Sequence, residues 1–170
     1  MRDLGRLMLN QGTRPDEMIC LRNDDVNLER GTLSIRRGKS AAARRVLDLT
    51  GGSQGILARR MSGDSPWIFP SPRNMMRHIA RLNGAHDRLC RKALGFGVSL
   101  SFVLYDFRHT FATRMEQAGV DLKTIADILG HNSLRIGIRY VHPTAEHKKA
   151  TMLRYEVDQK ARIQQEGRPN

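Results

Sequence analysis

The segment 104–142 constrains the fold more than any other part of this chain. Its apolar residues recur at helical spacing in three runs, separated by glycines and capping residues. The first run ends at Gly119, the second lies between a capping Asp121 and Gly130, and the third follows Ser133. The apolar positions are Phe107, Phe111, Met115 and Ala118, then Leu122, Ile125, Ile128 and Leu129, then Leu134, Ile138 and Val141. The pattern predicts three consecutive buried helices.

Three polar side chains leave the apolar faces of these helices. Arg108 lies at the edge of the first apolar run, so we expect its guanidinium to reach out of the core. His131 follows the Leu-Gly pair that ends the second run. Tyr140 lies nine residues later, about a third of a turn from the third apolar face. The three helices are therefore predicted to present an arginine, a histidine and a tyrosine.

The net charge limits the class of partner. The 170 residues hold 29 Lys and Arg, most of them Arg, against 17 Asp and Glu, which gives a formal charge of +12. This excess favours nucleic acid as the partner, because guanidinium groups bind phosphates through two parallel hydrogen bonds. A merely solvated basic surface is the alternative interpretation of the charge.

The remaining composition excludes several classes. Two cysteines are too few for a disulfide framework and favour a reducing, cytoplasmic location. No apolar run reaches the roughly 18 residues of a membrane span. The six histidines lack the spacing of a zinc site, so no metal and no cofactor is expected.

The N-terminal third predicts a helix over 2–11, a second helix capped by Thr13, and a small antiparallel sheet over 23–49. Arg14 lies at the start of the second helix, where backbone N–H groups also point outward. Taken alone, a surface pair with Glu17 is the simpler interpretation of Arg14. A basic connection within the sheet fits a DNA groove, although a mobile soluble loop is equally compatible. Its cations are Arg36, Arg37, Lys39, Arg44 and Arg45.

The rest of the chain predicts a short basic helix over 54–61 and two longer helices. Apolar spacing from Met75 to Ala93 predicts one long helix. Its other faces would contact successive phosphates of a nucleic-acid backbone or would simply be solvated. The cations on these faces are Arg73, Arg77, Arg81, Arg88, Arg91 and Lys92. Ala150, Leu153 and Val157 form the apolar line of a C-terminal helix, which docks on its own domain or on a neighbouring subunit. A polar tail, expected to be disordered, follows over 164–170.

The polar residues suit phosphodiester cleavage if Arg14, Lys39, Arg108, His131 and Tyr140 converge. Two guanidiniums and an imidazole would stabilise the charge of a five-coordinate phosphorus. The same cations favour the phenolate of Tyr140, and Lys39 can protonate the leaving sugar oxygen. A phosphotyrosine conserves the bond energy, so resealing needs neither a metal nor a nucleotide.

The order of these motifs resembles the tyrosine recombinase (phage integrase) family over residues 3–155. The motifs are Gly-Thr-Arg-Pro-Asp-Glu at 12–17, Gly-Lys-Ser at 38–40 before Arg-Arg-Val at 44–46, Asp-Phe-Arg-His-Thr-Phe-Ala-Thr at 106–113, Leu-Gly-His at 129–131 and Arg-Tyr at 139–140. Each motif is modest alone, but their order and the step from His131 to Tyr140 make the combination specific.

The resemblance implies a mainly helical α+β catalytic domain over 1–163, with a small antiparallel sheet and without the family's N-terminal DNA-clamping domain. It implies cleavage by Tyr140 through a 3′-phosphotyrosine, with Arg14, Arg108 and His131 around the phosphate and Lys39 as proton donor. Tyr105 stands where the family usually has a histidine, so it is expected to be an additional active-site contact. The DNA-contacting residues expected outside the centre are Arg36, Arg37, Arg44, Arg45, Arg73, Arg77 and Arg81.

The family also implies a homotetramer on paired DNA sites, with a monomer as the alternative for an isolated catalytic domain. Two other functions stay open at this point. Tyr105 is compatible with a catalytically weak protein that still binds DNA. A relaxing enzyme of the type IB topoisomerase kind would use the same chemistry without a specific site.

Overall fold

The computed structural model describes residues 1–38, 41–131 and 145–166, without the side chains of residues 41, 146–148, 158 and 161–166. The fold is mainly helical with a small antiparallel sheet, which confirms the predicted α+β class. The helices are α1 (Arg2–Gln11), α2 (Pro15–Ile19), α3 (Gly51–Met61), α4 (Asn83–Gly95), α5 (Asp106–Gln117), α6 (Leu122–Leu129) and α7 (Ala145–Glu166). The strands are β1 (Val26–Asn27), β2 (Thr32–Ile35), β3 (Arg45–Asp48), β4 (Pro70–Ser71) and β5 (Asn74–His78).

The turn between α1 and α2 brings the first helix against α5 and α6. Gly12 ends α1 with φ of 61°, a left-handed conformation that disfavours any side chain. A Cβ atom here would lie 2.4 Å from Cδ1 of Phe111 and 2.8 Å from Cδ2 of Leu129, so only glycine fits. Helix α2 then begins after Arg14, not after Thr13 as predicted: the Arg14 backbone is extended, and its N–H bonds Glu17 Oε2 at 2.8 Å.

The three-stranded sheet has the order β1–β2–β3, and both of its pairings are antiparallel. Leu33 lies between Val26 and Leu47, and Ile35 pairs with Arg45 at the end of the sheet. Because side chains alternate along a strand, Leu33, Ile35 and Leu47 enter the core, whereas Val46 remains 66% exposed. The main core joins this face of the sheet to α1, α2 and α3.

The predicted long helix over 75–93 is wrong in its first half. Residues Asn74–His78 form β5, which pairs with β4, and helix α4 begins only at Asn83. The Trp67 indole N–H donates to the carbonyl of Met76, and Met75 and Met76 are exposed. The helical spacing of Met75, Ile79 and Leu82 therefore spans a hairpin and the start of the next element.

Helices α5 and α6 share a second, smaller core of Phe111, Ala112, Ile125 and Leu129. The predicted helix bounds around Gly119, Asp121 and Gly130 agree with the structure. The C-terminal helix α7 continues to Glu166, and its predicted apolar line is exposed on this chain, with Leu153 and Val157 among its solvent-facing residues. In the described part of the chain, no helix is long and apolar enough to span a membrane.

Candidate active site

The C-terminus of α6 is the point on which the candidate site is built. Helix α6 starts at Asp121, whose carboxylate accepts the Thr124 N–H at 2.9 Å, and ends at Gly130 with φ of 65°. The backbone N–H of Gly130 bonds the carbonyl of Asp127, and that of His131 bonds the carbonyl of Ala126. This Schellman arrangement fixes where His131 leaves the helix.

The next three carbonyls of α6 each accept a hydrogen bond from a different arginine. Arg45 Nε bonds Ile128 at 2.5 Å, Arg108 Nη2 bonds Leu129, and Arg14 Nη2 bonds Gly130 at 3.3 Å. A helix leaves its last carbonyls without partners and carries partial negative charge at that end, so cations are stabilised there. Three arginines that are distant in sequence are thereby held at one helix terminus.

Arg108 is fully buried in this arrangement, with 0% of its surface exposed. Its Nη1 donates to the carbonyl of Gly12 at 2.7 Å, and its Nη2 also bonds Nε2 of His131 at 2.9 Å. The prediction that its guanidinium reaches out of the core is wrong, because backbone carbonyls from α1 and α6 meet it inside. Burial, and next the positive charge of Arg14, lower the pKa of Arg108 to about 10, which keeps it protonated at neutral pH.

Glu17 is the carboxylate at the centre of these cations, and its side chain is almost fully buried. Oε1 accepts from Arg14 Nη1 at 2.6 Å and from Arg45 Nη1 at 3.1 Å, while Oε2 accepts from Arg45 Nη2 at 3.1 Å. Arg108 Nη1 lies 4.0 Å from Oε2. Burial alone would raise the pKa of Glu17, but the bonds from Arg45 and Arg14 outweigh it and lower the pKa.

His131 is held in its neutral form. Burial first, and then the charges of Arg108, Arg14 and Arg45, lower its pKa to about 4. A guanidinium can only donate, so Nε2 accepts from Arg108 and the neutral ring carries its proton on Nδ1. Within the described residues this Nδ1 has no hydrogen-bond partner. His131 therefore offers one N–H for a group that enters the site.

Arg14 keeps part of its guanidinium accessible, with 28% of its side chain exposed. It lines two adjoining grooves. The first also contains Asp16, Arg81 and Tyr105, and the second contains Arg37, Gly38 and Ala43. Burial would lower the pKa of Arg14, but hydrogen bonds and charge attraction to Glu17, with a further contribution from Tyr105, raise it.

Tyr105 lies at the N-terminal boundary of α5 and is 39% exposed. Tyr105 lines the first groove beside Arg14 and contributes to the raised pKa of that guanidinium. The structure brings together Arg14, Arg108, His131 and Tyr105 from the predicted set. Lys39 and Tyr140 lie outside the described residues, although Gly38, next to Lys39, lines the second groove.

Six of the seven predicted DNA-contacting arginines are exposed: Arg36, Arg37, Arg44, Arg73, Arg77 and Arg81. Arg36 also pairs with Asp25 at 2.6 Å. Arg73 and Arg77 lie on the β4–β5 hairpin instead of a helix. Arg45 differs from the prediction, because only 7% of its side chain is exposed and its guanidinium binds Glu17 instead of facing solvent.

Sequence reasoning missed Glu17 as a member of the site. One signal was present: Glu17 lies three residues after Arg14, the spacing at which a side chain returns to the start of its own helix. Nothing in the local sequence indicated that Arg45, 28 residues later, would bind both oxygens of the same carboxylate. Across the described residues, no group of three or more His, Cys, Asp or Glu is placed to hold a metal ion.

Comparison with known proteins identifies a family and relatives of this chain. The phage integrase family profile matches residues 2–147. The tyrosine recombinase XerA of Pyrococcus furiosus is 30% identical over 151 residues, which cover 87% of this chain and 52% of that protein. The chain thus spans about half the length of the curated relatives it matches.

Solved structures show the same fold. The Tn1549 transposon integrase in complex with a circular intermediate DNA superposes with a TM-score of 0.76 at 19% identity, over 90% of this chain and 58% of that chain. A crystal structure of XerA recombinase gives a TM-score of 0.68 at 21% identity, over 91% of this chain and 60% of that chain. On sequence and on fold, the chain belongs to the phage integrase family.

Proposed function

We propose that this chain cleaves and rejoins DNA strands as the catalytic part of a site-specific recombinase or integrase. The observation that carries the proposal is the convergence of Arg14, Arg108 and His131 at the end of α6. The matched relatives are named recombinases and integrases, which supports the same class of reaction here.

In the proposed reaction, Tyr140 gives its hydroxyl proton to solvent, and its phenolate oxygen attacks a phosphorus of duplex DNA to form a 3′-phosphotyrosine. The 5′ oxygen leaves and takes a proton from Lys39. The 5′ hydroxyl of a partner strand then returns a proton to Lys39 and attacks the phosphotyrosine, which releases Tyr140 as phenolate and joins the new strand. Each step exchanges one phosphate ester for another, so no external energy source is consumed.

The charge balance of the site supports this chemistry. Arg14, Arg45 and Arg108 surround the single carboxylate of Glu17, so the described part of the centre has a surplus of positive charge. A phosphate that gains negative charge at the transition state is stabilised by such a preorganised field. The same field favours ionisation of a tyrosine hydroxyl that reaches it.

The two catalytic arginines contribute differently. Arg14 is partly exposed between two grooves and can contact a phosphate directly. Arg108 is fully buried, and both of its terminal nitrogens bond to groups of the protein. In this conformation Arg108 acts through its charge and by holding His131, and its buried Nε–H has no partner among the described residues.

The proposed partner is double-stranded DNA, bound along the exposed arginines on both sides of Arg14. A homotetramer on two paired sites is the proposed assembly for a complete strand exchange. An isolated half-reaction needs only one chain and one duplex, so cleavage can be tested without the assembly.

The test is covalent capture on nicked duplexes. A pool of nicked duplexes with a randomised centre loses the short strand after cleavage and traps the protein on DNA. We expect a denaturant-resistant adduct with wild type and none with Tyr140→Phe, which removes only the hydroxyl. Sequencing the trapped DNA would give the site, and mapping the DNA-linked peptide would give the nucleophile.

The outcome also separates the alternative functions. An adduct mapped to Tyr105 or Tyr155 would overturn the assignment of Tyr140. Tight DNA binding without any adduct would identify a DNA-binding protein without cleavage activity. Relaxation of supercoiled DNA with no sequence preference in the trapped pool would identify a topoisomerase-like enzyme.

A further inference from the structure

Arg45 is a buried cation within a surface that is otherwise rich in exposed arginines. It is the first residue of β3, where Val46 points outward and Leu47 inward, so strand alternation directs Arg45 inward as well. Only 7% of its side chain is exposed, while the adjacent Arg44 is exposed. A buried cation at this position needs a structural or catalytic reason, because removing a charge from water costs free energy.

Every nitrogen of the Arg45 guanidinium has a partner. Nη1 and Nη2 bind the two oxygens of Glu17 at 3.1 Å each, Nη1 also donates to the Ala43 carbonyl at 2.9 Å, and Nε donates to Ile128 at 2.5 Å. One side chain thus links the start of β3, the carboxylate on α2 and the end of α6. His131 follows three residues after Ile128, so Arg45 also fixes the turn that places His131.

The contacts of Glu17 show what this link does for Arg14. A carboxylate accepts about four hydrogen bonds, and two of them come from Arg45. A third comes from the Arg14 backbone, so the Arg14 guanidinium gives Glu17 a single bond through Nη1. Without Arg45, the positions that it leaves empty on Glu17 would attract Arg14 and Arg108, the other cations within 4.0 Å.

We propose that Arg45 is a positioning residue of the active site and not a DNA contact. By occupying both oxygens of Glu17 and the carbonyl of Ile128, it leaves the Arg14 guanidinium available to the DNA phosphate. The proposal rests on the DNA-cleaving function proposed above. It predicts that Glu17 becomes harmful once Arg45 is lost.

The experiment compares R45Q, R45K, the double variant E17Q/R45Q and R44Q. The substrate is a nicked duplex that carries the sequence recovered from the trapped DNA. Single-turnover cleavage is measured at saturating protein, and affinity is measured as a function of salt. We expect R45Q to cleave about 100-fold more slowly, as for a misplaced catalytic group. We expect E17Q/R45Q to recover about tenfold of this loss, and R45K to fall between R45Q and wild type.

The neighbouring arginine is the matched control. R44Q removes an exposed cation and should lower the slope of log affinity against log salt by about one phosphate contact. R45Q should lower that slope by at most the one contact that Arg14 makes, and E17Q/R45Q should restore it, because Glu17 then no longer withdraws Arg14. Thermal unfolding of each variant shows whether it is folded. If R45Q does not fold, R45K is compared with wild type in its place.

Two results would overturn the proposal. A slope lowered by about one in R45Q, with unchanged cleavage at saturation, would make Arg45 a phosphate contact. An E17Q/R45Q variant that cleaves no faster than R45Q would make Arg45 a structural brace only.

Failure of the cleavage function itself is recognised separately, since wild type would then form no adduct. The proposal is decided in that case by binding alone. R14Q should lower the salt slope by about one in the wild-type background and clearly less in the R45Q background, where Glu17 already withdraws Arg14. Equal decreases in both backgrounds would contradict the proposal.

Discussion

His131 shows how individual residues in this site are tuned by their neighbours. Its ring accepts a hydrogen bond from Arg108 and lies near two further guanidiniums, so protonation would place a fourth cation among three. The histidine therefore works as an acceptor that orients Arg108, and its remaining N–H, on Nδ1, is buried without a partner among the described residues. A protonated His131 would instead repel Arg108, because two positively charged groups would then be in contact.

This arrangement predicts a pH dependence of stability. The pKa of His131 is about 4 in the folded chain and about 6.5 when unfolded, so between these values only the unfolded chain takes up the proton. The free energy of unfolding should fall as pH drops from about 6.5 to 4. In His131→Gln, which retains an acceptor for Arg108, the fall measured by chemical denaturation should be smaller.

Glu17 contributes to the pH dependence of stability in a lower pH range than His131. Its pKa is lowered in the folded chain, so its contribution is complete above the unfolded value of about 4.3 and is lost only below it. All other groups are the same in both proteins, so their contributions cancel in the comparison. Identical pH profiles for wild type and His131→Gln would mean that the fold does not hold His131 neutral.

Tyr105 gives a second prediction at the level of one residue. Tyr105 lies beside Arg14 in the groove proposed for DNA, and it contributes to the raised pKa of that guanidinium. Tyr105→Phe should slow cleavage by about two- to tenfold, the effect of one neutral hydrogen bond. Tyr105→His should cleave as fast as wild type or faster, since an imidazole N–H can donate to phosphate.

Tyr155→Phe is the control for Tyr105, because Tyr155 is an exposed tyrosine on α7. Its loss of a hydroxyl should leave single-turnover cleavage unchanged. If Tyr105→Phe also cleaves at the wild-type rate, the Tyr105 hydroxyl has no part in the reaction.

Among the elements, helix α6 has the greatest influence on the site, because its terminal carbonyls hold all three arginines. Gly130 is essential to this terminus on two grounds. Its φ is 65°, and a Cβ atom there would lie 2.7 Å from the Ala42 carbonyl oxygen and 2.9 Å from Arg45 Nη1. The chain can turn here, and Arg45 can approach, only if the residue has no side chain.

Gly130→Ala should therefore lower the free energy of unfolding by about 2 kcal/mol or more, from backbone strain and from the close contacts. It should also slow cleavage, since Arg45 is displaced. Gly55→Ala is the control, because Gly55 lies within α3 and a Cβ there meets nothing within 4 Å. That change should stabilise the protein by about 0.5–1 kcal/mol, and denaturation curves of both variants check the contrast.

Equal stability of Gly130→Ala and wild type would show that the end of α6 adapts to a side chain. Such adaptation would contradict the close packing of Gly130 against Arg45 and the β2–β3 connection.

How far the sequence predicts these elements depends on whether their signals are local. Helices α1, α5 and α6 were predicted correctly because each has its own apolar period and ends at a glycine. The β4–β5 hairpin was missed, because Met75, Ile79 and Leu82 mimic a helical period while Met75 faces solvent. Local patterns alone cannot distinguish such a coincidence from a helix.

The candidate site was predictable as a set of residues but not as an arrangement. The motif order pointed to Arg14, Arg108 and His131. Their contacts depend on carbonyls that belong to other elements, such as Gly12 for Arg108, 96 residues away. For the same reason the burial of Arg108 and Arg45 could not be inferred from their own helix or strand.

Across the whole molecule, the positive charge is divided between two uses. The side chains of Arg45 and Arg108 are buried in the candidate site, whereas Arg73 and Arg77 lie on the exposed β4–β5 hairpin. The net charge of +12 therefore overstates the charge that any DNA can reach. Binding should be mainly electrostatic and should release counterions from the phosphates.

DNA affinity should accordingly fall at least about 100-fold between about 50 and 200 mM salt. Replacing Arg73 and Arg77 by Gln should reduce the salt slope by about two phosphate contacts. Replacing Arg59 and Arg60 by Gln is the control, because these α3 arginines pair with Asp3. Affinity measured by fluorescence anisotropy would contradict the prediction if it were flat in salt or changed equally in both double variants.

The capping of α6 by three arginines has a consequence for the control of the proposed DNA cleavage. Arg14, Arg45 and Arg108 come from separate parts of the sequence and meet only where α6 ends. Helix α6 packs on the smaller of the two cores and contacts the main core through Ile128, so we expect it to open at a lower free energy than the rest of the fold. Opening of α6 would separate all three arginines at once, so the proposed cleavage activity would be lost before the chain unfolds globally. A partly unfolded copy would then lack the proposed cleavage activity, because the three arginines converge only while α6 is folded.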